Sequence, residues 1–146
     1  MPGIATYDPS KVVLSVGGAE INGYADGEFI NVDRANDTYN KSTGADNRTV
    51  RIKQNDFSGS ITITLSQTSE SNNILSAFMI LDETANDGIV PVLIKDLLGS
   101  SVYVSAYAWV RKPPAGAYGK DDSNREWVLD CANLDIFHGG NPDFQG

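Results

Sequence analysis

The chain has 146 residues, of which 40% are hydrophobic and 21% charged, so it is long enough to bury a core as one domain. Its formal charge of −8 and pI near 4.4 argue against ordinary binding to nucleic-acid phosphates, because that affinity comes from Lys and Arg. A single cysteine excludes an internal disulfide, and we expect neither a signal peptide nor a membrane span, because no apolar run is long enough.

The first third of the chain predicts short strands joined by turns. Strand patterns at residues 11–16, 19–22 and 28–34 are separated by glycines that mark turns. Residues 35–48 are almost entirely polar, and a connection of this length is commonly a functional loop. An exposed, mobile hairpin tip is the alternative interpretation.

Residues 49–54 and 57–68 resume the strand pattern. Ile61, Ile63 and Leu65 alternate with hydroxyl side chains, so one face is expected to be buried and the other to be polar. The sequence therefore predicts a half-buried strand, around which the other strands pair.

The segment after this strand predicts the single convincing helix, over about residues 70–83. Ile74, Phe78 and Leu81 recur at helical spacing and form a narrow apolar stripe. We expect this stripe to lie back on the sheet.

Further strand patterns appear at residues 89–95, 100–112 and 125–137. Pro91 cannot donate to a strand ladder, which predicts an edge position or a bulge. The alternation of the last pattern slips near residues 132–133, which suggests a second bulge.

Residues 100–112 carry apolar side chains on both faces of the predicted strand, which indicates that both faces are covered. The face with Tyr103, Tyr107 and Trp109 is the one expected to pack against the helix.

These patterns predict a mainly β fold: an antiparallel β-sandwich or partial barrel with one flanking α-helix at about residues 70–83. We expect a single domain over residues 1–146, with a long polar loop at about 35–48 and a flexible C-terminal tail at about 138–146.

The residues offer little for catalysis. The single histidine, His138, lies in a glycine-flanked tail, where its geometry would be poorly held, and Cys131 sits among apolar residues of a strand. Residues 121–126 loosely resemble a calcium loop but lack its turn glycine and distal glutamate. We therefore expect no catalytic residues, no metal site and no cofactor.

Three segments of the chain resemble the tail tube protein of contractile-tailed bacteriophages. The most specific is Gly23-Tyr24-Ala25-Asp26-Gly27, followed by Phe29 and Ile30. The polar loop and the strand at residues 58–69 ahead of the helix add to it, and the likeness extends in order over about residues 10–137.

The resemblance implies a fold like that of the phage tail tube proteins and a structural virion protein, not an enzyme. Its copies would form hexameric rings, stacked into a tube within a contractile sheath, through which double-stranded DNA passes without specific binding. It also implies contacts with the sheath, tape measure, baseplate and tail terminator proteins, and assembly in the cytoplasm of the host bacterium, with no membrane partner.

Charged residues are the candidates for two surfaces of such a tube. For the contact between rings we choose charged residues in and beside the polar loop: Asp33, Arg34, Asp37, Asp46 and Arg48. For an acidic channel wall that would repel DNA phosphates we choose carboxylates of the last strand: Glu126, Asp130 and Asp135.

Two other interpretations remain open at this point. One is a tube subunit of a contractile secretion or injection system, which would share the ring and differ in its partners. The other is a monomeric carbohydrate-binding β-sandwich, for which Trp109, Trp127 and Tyr118 could be stacking platforms, although such aromatics are more often core.

Overall fold

The structure, a computed structural model, describes residues 3–144. These residues form twelve strands, one 3-10 turn (Pro9–Lys11) and one α-helix. The helix, α1, spans Ser71–Ala85. The strands are β1 (Ile4–Ala5), β2 (Val12–Val16), β3 (Ala19–Glu20), β4 (Ile30–Arg34), β5 (Tyr39–Thr43), β6 (Thr49–Lys53), β7 (Gly59–Ser66), β8 (Val90–Asp96), β9 (Val102–Lys112), β10 (Asn124–Cys131), β11 (Asp135–Phe137) and β12 (Asp143–Phe144).

Eight strands form one antiparallel sheet in the order β3-β2-β8-β9-β10-β7-β4, with β11 also paired to β9. The other four form two small sheets, β1 with β12 and β5 with β6. The predicted mainly β antiparallel fold with one helix is confirmed.

The core lies between the two halves of this curved sheet. Strands β2 and β8 contribute one set of buried side chains, and β7 and β10 contribute the other. In β7 the buried residues alternate with half-exposed hydroxyl residues, as the sequence predicts for this strand. The residues that meet in the core are Leu14, Val16, Val92 and Ile94 from one half and Ile61, Ile63, Leu65, Trp127 and Leu129 from the other.

The helix begins and ends close to its predicted bounds, but the buried face differs from the predicted stripe. Leu75 is fully buried and Phe78 packs partly against the core, whereas Leu81 is 41% exposed. Position 81 lies too far around the helix from Leu75 to reach the sheet. The helix ends at Ala85 and is capped by Asn86, whose left-handed backbone (φ 54°) lets its N–H donate to Asp82 O at 2.9 Å. No helix among residues 3–144 is long and apolar enough to cross a membrane.

A buried hydrogen bond ties the start of the helix to the sheet. The indole Nε1 of Trp127 donates to Asn72 Oδ1 at 2.9 Å, and Asn72 Nδ2 donates to the carbonyls of Ser66 and Ser69, both at 3.0 Å. Ser71 adds a second tie, because its Oγ accepts from Asn22 N at 2.8 Å. These bonds fix the direction in which α1 leaves β7.

Strand β9 follows a different alternation from the one predicted, because it contains an extra residue. Val90 pairs with Ala108 but Val92 pairs with Ser105, so the register shifts by one residue opposite Pro91. The predicted bulge at the proline is therefore confirmed. Beyond it the side chains change sides: Tyr107 is 62% exposed, so the expected packing of this residue on the helix is wrong.

The segment from Gly23 to Gly27, which carries the most specific part of the resemblance, runs beside β7. Ser66 N donates to Gly23 O at 2.9 Å and Ala25 N donates to Thr64 O at 3.1 Å. Gly23 has φ 76°, and a Cβ there would lie 2.4 Å from Ser69 Oγ. Burial raises the pKa of the Tyr24 phenol to about 12, with a smaller contribution from Glu20. The segment therefore pairs with the part of β7 that lies past the end of β4, and it needs glycine at its first position.

The C-terminal tail, for which the sequence predicts flexibility, makes hydrogen bonds to Ser101 and to the N-terminal segment, and β12 pairs with β1. Gly139 N donates to Ser101 Oγ at 2.9 Å, and Asn141 Nδ2 donates to Thr6 O at 2.6 Å. The absence of a side chain at Gly139 permits this path, since a Cβ there would lie 1.9 Å from Ser100 Oγ. Residues 145–146, the end of the predicted C-terminal tail, lie outside the described residues.

Replacing Trp127 with Phe tests whether the buried bond to Asn72 holds the helix. The substitution leaves Asn72 Oδ1 without its donor, so we expect the free energy of unfolding to fall by about 1–3 kcal/mol in urea titration. The matched control is Trp109→Phe on the opposite face of the sheet, expected to change stability by less than about 0.5 kcal/mol. Equal losses in the two variants would contradict this account.

Candidate assembly surfaces

Strands β5 and β6 form a hairpin that stands apart from the main sheet, and we call residues 39–53 the arm. Every residue of the arm is exposed. Its base is closed by Gln54 N, which donates to Thr38 O at 2.9 Å, and its turn is closed by Gly44 N, which donates to Arg48 O at 3.0 Å. The predicted polar loop is thus an ordered hairpin that extends beyond residue 48.

The two faces of the arm differ in chemistry because paired residues point to the same side. Lys41 pairs with Arg51, and Tyr39 pairs with Lys53, which gives one basic face. The Arg51 guanidinium lies 4.2 Å from the centre of the Tyr39 ring. The opposite face carries Asn40, Ser42, Val50 and Ile52.

Charge is unevenly divided between the arm and the body. The arm has four basic residues and one acidic residue, a net charge of +3. Because the whole chain carries −8, the remaining residues carry −11. The arm is therefore electrostatically complementary to the rest of the molecule, and hence to the body of another copy.

The residues predicted for the ring-to-ring contact do not all lie on the arm. Asp46 lies in its turn and accepts from Arg48 N at 3.2 Å, and Asp37 precedes its first strand. Arg34 belongs to the body: its Nη2 donates to Leu134 O at 2.8 Å, and its guanidinium lies 5.0 Å from the centre of the Phe57 ring. Asp33 lies on β4, opposite Ser60 of β7. The basic face of the arm is a feature that the sequence interpretation missed.

The outer side of β4, β7 and β10 is mainly polar, although it includes half-buried Val128 of β10, and we call this surface the polar face. It arises because the inner side of the same strands supplies the core. Its polar members are Asn31, Asp33, Ser60, Thr62, Thr64, Ser66, Asn124, Glu126 and Asp130.

The three acidic residues predicted for a channel wall occupy different surroundings. Glu126 and Asp130 lie on the polar face, whereas Asp135 lies on β11, opposite Val104 of β9 and beyond the end of β10. Asp130 accepts two bonds from Arg111, Nη2 at 2.5 Å and Nε at 2.9 Å. This contact raises the pKa of the Arg111 guanidinium, chiefly through the hydrogen bond and then through the carboxylate charge. Arg111 lies within the register shift between β9 and β10, so its pairing could not be read from alternation.

Groups that could support catalysis or metal binding are dispersed over the molecule. Cys131 is buried, and burial raises the pKa of its thiol, with a smaller opposing contribution from Ser105. His138 is exposed, and its Nδ1 shares a hydrogen bond with Tyr103 Oη at 2.8 Å. Within residues 3–144 no three His, Cys, Asp or Glu side chains lie close enough to hold a metal ion.

The aromatic residues of the carbohydrate-binding interpretation are not one platform. Trp127 is in the core, half-buried Trp109 lies opposite Asp130, and exposed Tyr118 accepts a bond from Arg125 Nη2 at 3.0 Å. Trp127 therefore cannot stack on a sugar, and that part of the alternative is wrong.

Comparisons with known proteins identify the family. Residues 5–139 match the family described as the bacteriophage PhiTE tail tube protein. The chain is 32% identical over 145 residues to structural protein ORF10 of Pseudomonas phage KPP10, covering 94% of this chain and 84% of that protein.

Solved structures share the fold at low sequence identity. The tube-terminating cap of the anti-feeding prophage superposes with a TM-score of 0.63 at 10% identity, over 94% of each chain. A chain of the PVC sheath-tube complex, an extracellular contractile injection system, superposes with a TM-score of 0.61 at 12% identity, over 90% of this chain and 91% of that one. The solved structures show the shared fold, and the two sequence matches show that the chain belongs to the phage tail tube protein family, a family of structural virion proteins.

Proposed function

We propose that copies of this tail tube protein form hexameric rings, and that the rings stack through the arm into a tube that conducts double-stranded DNA. The arm is the observation that carries this proposal. None of its residues is buried, so the arm contributes nothing to the core of its own subunit. A hairpin of this kind, isolated in water, is only marginally stable and gains stability by packing on another surface.

The ends of the main sheet support closure of a ring. Among the described residues, β4 pairs only with β7 and β3 pairs only with β2, so both end strands have an unpaired edge. Exposed edges invite pairing with other chains, and closing a sheet across subunits removes them. We infer that neighbouring copies join their sheets around the channel.

The polar face is the surface we assign to the channel wall. Hydroxyl side chains of β7 interact weakly with DNA, and the carboxylates of Asp33 and Glu126 repel phosphates. Asp130 contributes less net negative charge because Arg111 is bound to it. Asp135 is placed outside the wall in this assignment, since it lies on β11, beyond the end of β10.

The partners follow from the proposed tube. The solved relatives come from a sheath-tube complex and from tube-terminating and sheath-terminating assemblies. We assign equivalent contacts to this chain, namely a surrounding sheath and a terminator, together with a tape measure protein inside and a baseplate at one end. Assembly is assigned to the cytoplasm of the host bacterium.

A tube subunit of a contractile injection system is the second candidate, because its solved members share the fold. The two functions differ in what the tube is joined to and what it conducts. A particle that has a DNA-filled capsid on this tube would support the phage assignment.

Replacing residues 39–53 with Gly-Gly tests the role of the arm. Because no arm residue is buried, the free energy of unfolding should change by less than about 1 kcal/mol. We expect tails to be absent by electron microscopy when this variant is the only copy available to the phage. Tails of normal length would refute the stacking role.

Reversing charge on the polar face tests the channel wall. In the variant Asp33→Lys with Glu126→Lys, we expect DNA to leave the tail more slowly, and the delay to shrink as salt is added, because the new cations bind phosphates. The matched control, Asp26→Lys with Asp121→Lys, makes the same change of charge at exposed loop positions and should release DNA at the native rate. Equal delays in both variants would contradict the assignment.

A further inference from the structure

The basic face of the arm is unfavourable in a free subunit. Lys41 and Arg51 lie directly opposite each other in the β5–β6 ladder, and Lys53 follows on the same side. Like charges in this position repel each other and destabilise a pair of strands. The ion pair formed within residues 3–144 joins Arg111 to Asp130, so none of these three cations is neutralised within the subunit.

The C-terminal end of α1 has the opposite imbalance. Asp82 and Glu83 lie in the last turn, Asp87 follows it, and the turn contains no basic residue. The carbonyl end of a helix is already negative, so carboxylates there are unfavourable and cations are favourable. From Lys53 to Lys95 the sequence has no Lys, Arg or His in between.

The outward side of the same helix exposes apolar surface. Ile80 is 53% exposed and Leu81 is 41% exposed, and Ala77 lies one turn before them. The aliphatic stems of Lys and Arg can cover such surface while their charged ends reach nearby carboxylates. The exposed ring of Tyr39 adds apolar area to the basic face of the arm.

We propose that the basic face of the arm docks on the C-terminal half of α1 in a second copy of this chain. The inference rests on the proposed function and names the surface that receives the arm. Lys41 and Lys53 meet Glu83 and Asp87, and their stems cover Ile80 and its neighbour. Two charge arrangements that are unfavourable within one subunit thereby neutralise each other between subunits.

A second copy is the occupant because each subunit carries both complementary surfaces. A contact between two different surfaces of identical chains repeats from copy to copy, as a stack of rings requires. Another exposed apolar surface, Leu93 and Val104 on β8 and β9, is a poorer match because the cation of Lys95 lies on the same side as the carboxylate of Asp135, whereas the end of α1 has three carboxylates and no cation.

A charge exchange tests this contact in phage-producing cells that lack their own copy of the gene. We expect Lys41→Glu with Lys53→Glu to lower the number of tails at least about tenfold, and Glu83→Lys with Asp87→Lys to do the same. Both variants should fold. The first places Glu opposite Arg51, where opposite charges attract, and the second places Lys near the helix C-terminus, where a cation is favourable. All four substitutions together restore the formal charge of −8 and should restore tails.

The matched control combines the two arm substitutions with Asp26→Lys and Asp121→Lys, which restores the same total charge at other exposed positions. We expect this combination to remain defective. Provided that the native chain forms tails, any of three results would overturn the docking site. These are normal tails from either pair of substitutions alone, no recovery with all four substitutions, or recovery with the control. If the native chain itself fails to produce tails, the proposed function fails instead.

Discussion

Strand β7 completely buries Ile61, Ile63 and Leu65, and the rest of the structure depends on that burial. Because side chains alternate in a strand, burying these three residues forces the intervening Ser and Thr residues to the outer side. The neighbouring strands β4 and β10 adopt the same division through their antiparallel register. One constraint therefore creates both the core and the polar face, and places them back to back.

The helix is positioned from this strand as well. It follows β7 after a short turn, and Asn72 connects that turn to Trp127 in the core. Besides the polar face, the main exposed surfaces are the arm, the outward side of α1 and the unpaired edges of the sheet. These are the surfaces for which the single subunit offers no covering, and the proposed tube covers each of them with another copy.

Much of this architecture could be predicted where one regular period continues without interruption. The alternation in β7 predicted its buried face, and the extent of α1 followed from its helical spacing. Prediction failed where the period shifts: an extra residue in β9 exposes Tyr107, and the register shift beside Arg111 hides its pairing with Asp130. The basic face of the arm was missed because its residues meet only across the β5–β6 ladder, which polar composition does not reveal.

The most direct test of the central claim is a cryo-electron microscopy reconstruction of the assembled tail at a resolution that traces strands. The account predicts rings of six copies, with the polar face of β4, β7 and β10 lining the channel and each arm reaching a subunit of the next ring. A tube whose channel is lined by α1 or by β8, or whose arms remain folded on their own subunits, would contradict it.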